Sequence, residues 1–227
     1  MRESILTIPI NEIFEPKNGC PICLMRDMLE SRAVEYIMGA AMMEPDVRIE
    51  TNKQGFCKTH FDKMLGKKNR LSLALLLQSH LIELDKSIFS KKSIFEGLNA
   101  KQKKVSAVNN DCFVCSKIDW GMSRLVQTVF DMYSQSREFR ALFSEQEYLC
   151  PNHYDLLVSE STQSLDKKYR SEFVKICSEL VKKGLATLIE DVTHYCNMYD
   201  YRNTGKDADW GNSKDAIERS IRFLTTR

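Results

Sequence analysis

Glycine and proline are scarce in this chain, nine and five of 227 residues. A fold of many short strands and tight turns draws on both, so their scarcity argues against one and favours helices. Long apolar runs are also missing. The longest strongly apolar stretch, Leu73 to Leu77, falls far short of the roughly 20 residues of a membrane-spanning helix. The N-terminal MRESILTIPINEIF interrupts its apolar residues with Glu3, Asn11 and Glu12, so it has no signal-peptide core. These absences predict a cytoplasmic protein with no membrane contact. Neither charge dominates: 33 Lys and Arg face 31 Asp and Glu, a net +2, which by itself calls for no polyanionic partner. No GxGxxG, P-loop, GxSxG or HExxH pattern occurs, and no Ser/His/Asp set assembles with any specificity. The sequence therefore supports no enzyme class. At 43% hydrophobic and 28% charged, the composition is globular and excludes a largely disordered chain.

Cysteine is what the chain does have, at eight residues, and six of them fall into a pattern with two of the four histidines. Cys20-Pro-Ile-Cys23 is followed by Cys57-Lys-Thr-His60, and Cys112-Phe-Val-Cys115 by Cys150-Pro-Asn-His153. Other positions recur at the same offset. Val34 matches Val126, Asp46-Val47-Arg48 matches Glu138-Phe139-Arg140, and His60-Phe61-Asp62 matches His153-Tyr154-Asp155. Duplication is the simplest reading.

The patterning predicts a mostly all-α fold: two tandem related helical units, each with a CxxC…CxxH zinc site, sharing a helical-bundle core. The expected units are residues 1–89 and 111–227, joined by a Lys-rich linker over 90–110. Helices are expected from Cys23 to about Ala41, from Pro45 to near Gly55, after Cys57, and from about Asn69 to Phe89. In the second copy they are expected over Val114–Tyr133, Ser136–Phe143, after Pro151, and over Asp166–Tyr201. Leu71, Leu75, Ile82 and Phe89 form the expected inner stripe of the first long helix. Phe173, Cys177, Leu180, Leu188, Val192 and Tyr195 form that of the second. The two long helices are expected to pack together near a pseudo-twofold axis. A last helix should start at Ser213 as N-cap and run to about Leu224. Thr7 to Ile10 reads as extended.

Reduced cytoplasmic thiols in this pattern point to metal. Zinc takes thiolate sulfur and imidazole nitrogen in a tetrahedron, and three cysteines with one histidine is a common closed set. CxxC turns two sulfurs toward one ion. In CxxH the first and fourth residues share a helix face, and the helix N-terminus favours thiolate charge. The candidate ligands are Cys20, Cys23, Cys57 and His60, then Cys112, Cys115, Cys150 and His153. The cofactor expectation is two Zn2+ per chain in treble-clef-like or zinc-knuckle sites, with an iron–sulfur cluster as the alternative. In each copy the 33 or 34 intervening residues are expected to fold as an excursion that returns the second pair to the first. Such sites leave no position open for substrate, so their expected role is structural and not catalytic.

Some residues fall outside this pattern. Cys177 and Cys196 read as core thiols on apolar helix faces. His80 and His194 read as structural, with a pocket role as the alternative. The segment around Trp210–Asp215 reads as a capped turn anchored by Trp210, or else as a lip over a pocket. From Lys53 to Lys104 basic residues exceed acidic ones by eight. Nucleic-acid binding is an alternative there, against solvated helix faces as the simpler reading.

CPIC, AVEYIMG, EPDVR, TNKQGFCKTH, NRLSLALLL, CFVC and the tail DYR…WGNSKDAIERSI together resemble an uncharacterised bacterial family of unknown function, mostly from Gram-positive anaerobes. Its members often carry the label "ABC transporter substrate-binding protein". The resemblance spans nearly the whole chain. It implies paired CxxC/CxxH motifs at the eight positions named and supplies no activity. The functional expectation is a zinc-binding adaptor for an unknown protein partner or small ligand, with a thiol-based redox or metal sensor as the alternative.

Overall fold

The computed structural model describes residues 7–89, 98–200, 202 and 209–225. Every regular element among them is helical. In chain order these are α1 (Thr7–Phe14), α2 (Pro21–Met38), α3 (Pro45–Gln54), α4 (Lys58–Gly66), α5 (Arg70–Leu84), α6 (Leu98–Asn110), α7 (Phe113–Gln135), α8 (Arg137–Ser144), α9 (Pro151–Ser164), α10 (Lys167–Asn197) and α11 (Ala216–Thr225). Short 3-10 turns lie at Ala40–Met43 and Gly211–Ser213, and a π-helical turn at Asp85–Phe89.

Local chemistry sets most of these boundaries. Pro45 and Pro151 each sit in a first helical turn, where a missing N–H costs nothing. Asn69 and Ser136 cap their helices by accepting the amides of Ser72 and Phe139 at 3.2 and 3.1 Å. Gly55 ends α3 at φ 65°, with its N–H on the Thr51 carbonyl. A side chain there would be strained and would meet the His80 ring at 3.1 Å.

Contacts divide the chain into two compact units. One comprises residues 1–25 and 124–227, the other residues 26–123. In the first, α10 packs on α8, α9 and α11. Its core is a chain of rings: Phe14 lies against Phe139 and Phe143, Phe143 against Phe173, and Phe173 against Tyr133, with centroids 4.9 to 5.9 Å apart. All but Phe139 have less than 1% of their surface exposed. In the second unit α5 packs on α3 and α4, and Leu29 of α2 fills the space a side chain at Gly121 of α7 would need. The matched arginines do similar work. Arg48 donates to the Met42 carbonyl and Arg140 to that of Tyr133, each tying its short helix to the element before it.

Four expectations are corrected. Thr7 to Ile10 is helical and not extended, because Ile10 and Phe14, one turn apart, are both fully buried and Pro9 falls in the first turn. Residues 98–110 form a full helix, rich in good helix formers, with Lys101, Lys104, Ala107 and Val108 half-buried at helical spacing. On α5 the buried residues are Ser72, Leu73, Leu76 and His80; of the expected stripe Leu75 is half-buried, Leu71 and Ile82 are exposed, and Phe89, exposed too, lies in the turn after α5. His80 can sit on the inner face because its Nδ1 donates to the Asn52 carbonyl at 2.9 Å. Finally, Ser213 is not an N-cap. Its hydroxyl donates to the Trp210 carbonyl at 2.6 Å, and α11 starts three residues later. The expected helix end at Tyr201 and residues 90–97 of the expected linker lie outside the described residues.

Candidate metal centres

All four motifs stand at helix N-termini. Cys20 precedes α2 and Cys23 lies in its first turn. Cys112 and Cys115 hold the same places on α7. Cys57 and Cys150 are the N-cap residues of α4 and α9, both extended, with ψ of 162° and 156°. Their carbonyls accept the first helical bonds, from Phe61 at 3.0 Å and Tyr154 at 2.9 Å. His60 and His153 therefore stand one turn in, on the face of their own cysteine.

The structure brings the eight residues together as two clusters, but it exchanges the pairs. Cys20 and Cys23 meet Cys150 and His153, while Cys57 and His60 meet Cys112 and Cys115. The 33 residues after Cys23 do not return the chain to it. One reason is the length of α2, whose 18 residues rise about 27 Å. A second is that the far ring nitrogen of His60, Nε2, is held at 3.0 Å by Glu30, seven residues beyond Cys23. A third is that the Phe113 amide donates to the Gly55 carbonyl at 3.0 Å, which docks the start of α7 beside Cys57.

Within each cluster the four ligand atoms lie within 4.8 Å of one another. In the first, Cys20 and Cys23 Sγ are 4.0 and 3.7 Å from Cys150 Sγ. His153 Nδ1 is 3.1 to 3.6 Å from the three sulfurs. In the second, Cys57 and Cys115 Sγ are 4.0 Å apart, and His60 Nδ1 is 3.1 to 3.5 Å from its three sulfurs. A tetrahedral ion bonded at about 2.3 Å to sulfur and about 2.0 Å to nitrogen would set sulfurs about 3.8 Å apart and nitrogen about 3.5 Å from each. Both clusters are close to that shape.

Electrostatics points the same way. Burial pushes the Cys20 thiol up to about 12, and the neighbouring Cys150 and Cys20 sulfurs, with burial, push Cys23 up too. Cys150 is held down by the bonds it accepts from Cys20 and Cys23. Three thiols so placed cannot all ionise without a cation between them. In the second cluster, burial and the Cys112 and Cys57 sulfurs push Cys115 up to about 12. Burial lowers His60 against the pull of Glu30, so the ring is neutral with Nδ1 free to ligate and Nε2–H donating to Glu30. Burial alone would raise Glu30, but Lys63, in contact with its other oxygen, and His60 keep it below its ordinary range. Glu30 is the residue that sequence reasoning misses: nothing local marks a carboxylate thirty positions before the histidine it orients.

The other candidates sit elsewhere. Cys177 is fully buried, as expected, whereas Cys196 is exposed and not a core thiol. It lies on the outer side of the last turns of α10. His80 donates to Asn52, and His194 Nε2 to the Asp209 carbonyl at 2.9 Å. Trp210 packs against Tyr195 and Tyr199. In the basic stretch, Lys58 pairs with Asp62, Lys63 with Glu30 and Lys67 with Glu35.

A family model, described as a family of unknown function (DUF6062), matches residues 1–227. The chain belongs to that family. The family's description names no activity and no transport role. No curated protein and no solved structure matches the chain. No described helix is long and apolar enough to cross a membrane.

Proposed function

We propose that this member of the DUF6062 family is a cytoplasmic zinc protein. In this reading two closed three-cysteine, one-histidine sites fix a helical scaffold, and the scaffold serves as an adaptor for a protein partner. The observation that carries the reading is the pair of four-ligand clusters at near-tetrahedral spacing. Three sulfurs and a nitrogen suit zinc. A multi-iron cluster spreads its cysteines over several metal atoms and is poorly served by ligand atoms all within 4.8 Å of one another. A full set of protein ligands makes the ion a structural element and not a catalyst.

The adaptor part is supported by Leu71, Leu81, Ile82 and Phe89, large apolar side chains exposed on α5 and the turn after it. Such a surface suits a partner with an apolar face. We read the two sequence repeats as copies of one ancestral unit. The matched motif positions at helix N-termini and the matched bonds of Arg48 and Arg140 support this.

The test is elemental analysis of chain purified without a metal-affinity tag. Two zinc atoms per chain are expected. Iron with sulfide would replace the reading with a cluster-based redox role, and a metal-free folded chain would overturn it.

A further inference from the structure

The two clusters have the same ligands but not the same access. Cys20, Cys23, Cys150 and His153 are all buried, with Cys150 showing no exposed surface. In the other cluster His60 and Cys112 are buried, but Cys57 and Cys115 both reach solvent. Their sulfurs are 4.0 Å apart. One stands at the start of α4 and the other in the first turn of α7. The two solvent-reaching ligand residues are thus neighbours, whereas no ligand residue of the first cluster has more than 4% of its surface exposed, although Cys20 and Cys23 line a cavity of about 250 Å³ beside Tyr148. Thiolate oxidation follows exposure as well as thiolate character, and ligation keeps both sulfurs as thiolates.

We propose that Cys57 and Cys115 form an oxidation site for hydroperoxides, through which the second cluster releases its ion while the first keeps its own. This rests on the two-zinc reading above. One thiolate attacks the peroxide O–O bond, giving a sulfenic acid and hydroxide. The other thiolate then attacks that sulfur, forming the Cys57–Cys115 disulfide and expelling a second hydroxide. The two sulfurs give up two electrons in all, and hydrogen peroxide takes both up. The ion, left with Cys112 and His60 alone, leaves as aqueous Zn2+. A dithiol reductant and fresh zinc restore the site.

The experiment uses the full chain carrying Cys196→Ser, which removes the exposed thiol outside the clusters. Native mass spectrometry first counts the ions. Fewer than two would sink the zinc reading itself, and this proposal with it. Hydrogen peroxide is then added, zinc release is followed with a chromogenic chelator, and disulfides are mapped by peptide mass. The expected result is one equivalent released at least roughly tenfold faster than the other, together with a Cys57–Cys115 disulfide, both reversed by dithiothreitol and zinc. Release of both ions at one rate, no release from a two-ion protein, or a first disulfide involving any other cysteine would overturn the proposal.

Discussion

The exchange of ligand pairs makes a prediction that no within-repeat arrangement shares. Removing two ligands of one ion costs one ion, and removing one ligand of each costs both. Cys20→Ser with Cys150→Ser removes two sulfurs that stand 4.0 Å apart, so this chain should keep one zinc. Cys20→Ser with Cys57→Ser takes one sulfur from each cluster, so this chain should keep none under competition. Structural zinc binds with about 10–16 kcal/mol in small modules. One ligand in four then answers for about 3 kcal/mol, and its loss weakens binding roughly a hundredfold or more. The assay is zinc per chain after dialysis against a chelator that the parent chain withstands. If Cys20→Ser/Cys57→Ser retained one ion and Cys20→Ser/Cys150→Ser retained none, each copy would close its own site and the exchange would be refuted.

Three further predictions follow from individual residues. Glu30→Gln removes the carboxylate behind His60 and should weaken the second ion about 10- to 100-fold while sparing the first; equal loss from both sites in a chelator titration would contradict the assignment. Phe173→Ala empties the middle of the ring cluster and should cost about 3–5 kcal/mol in urea unfolding, so a cost under about 1 kcal/mol would show that the rings are not the core of their unit. The Cys177 thiol, pushed by burial from 9 up to about 12, keeps its proton when folded and gives it up more readily when unfolded. Its contribution is therefore complete below the unfolded value and is lost as pH rises from about 9 toward 12, by at most about 1.4 kcal/mol per pH unit. Cys177→Ala should lose stability less steeply than the parent between about pH 8 and about pH 10, and parallel curves would count against the burial argument.

Features governed by adjacent residues could be read from the sequence. Pro45, Asn69, Ser136 and Pro151 mark helix starts through their own caps or missing N–H, and CxxC and CxxH announce ligands by spacing alone. What could not be read depends on partners far along the chain. The choice between Cys57 and Cys150 as the partner of Cys20 is made by Glu30 holding His60 and by Gly55 accepting the Phe113 amide. The inner face of α5 escapes local reading for a related reason. Hydropathy places Leu71 and Ile82 inside, whereas the Asn52 carbonyl, far from α5 in sequence, accepts from His80 and holds that ring on the buried face. Residues 98–110 form a helix whose half-buried stripe is itself partly lysine, Lys101 and Lys104 beside Ala107 and Val108, so hydropathy does not mark it.

The pairing also sets a clock on synthesis. The ribosome adds about 5–20 residues per second. Cys23 emerges 127 positions ahead of Cys150, a wait of roughly 6–25 s for its partner. His60 precedes Cys112 by only 52 positions, a wait of roughly 3–10 s. The newborn chain therefore completes its later-numbered CxxC site first. It carries Cys20 and Cys23 as open thiols until Cys150 and His153 are made, and in that interval a zinc-poor or oxidising cell could divert them.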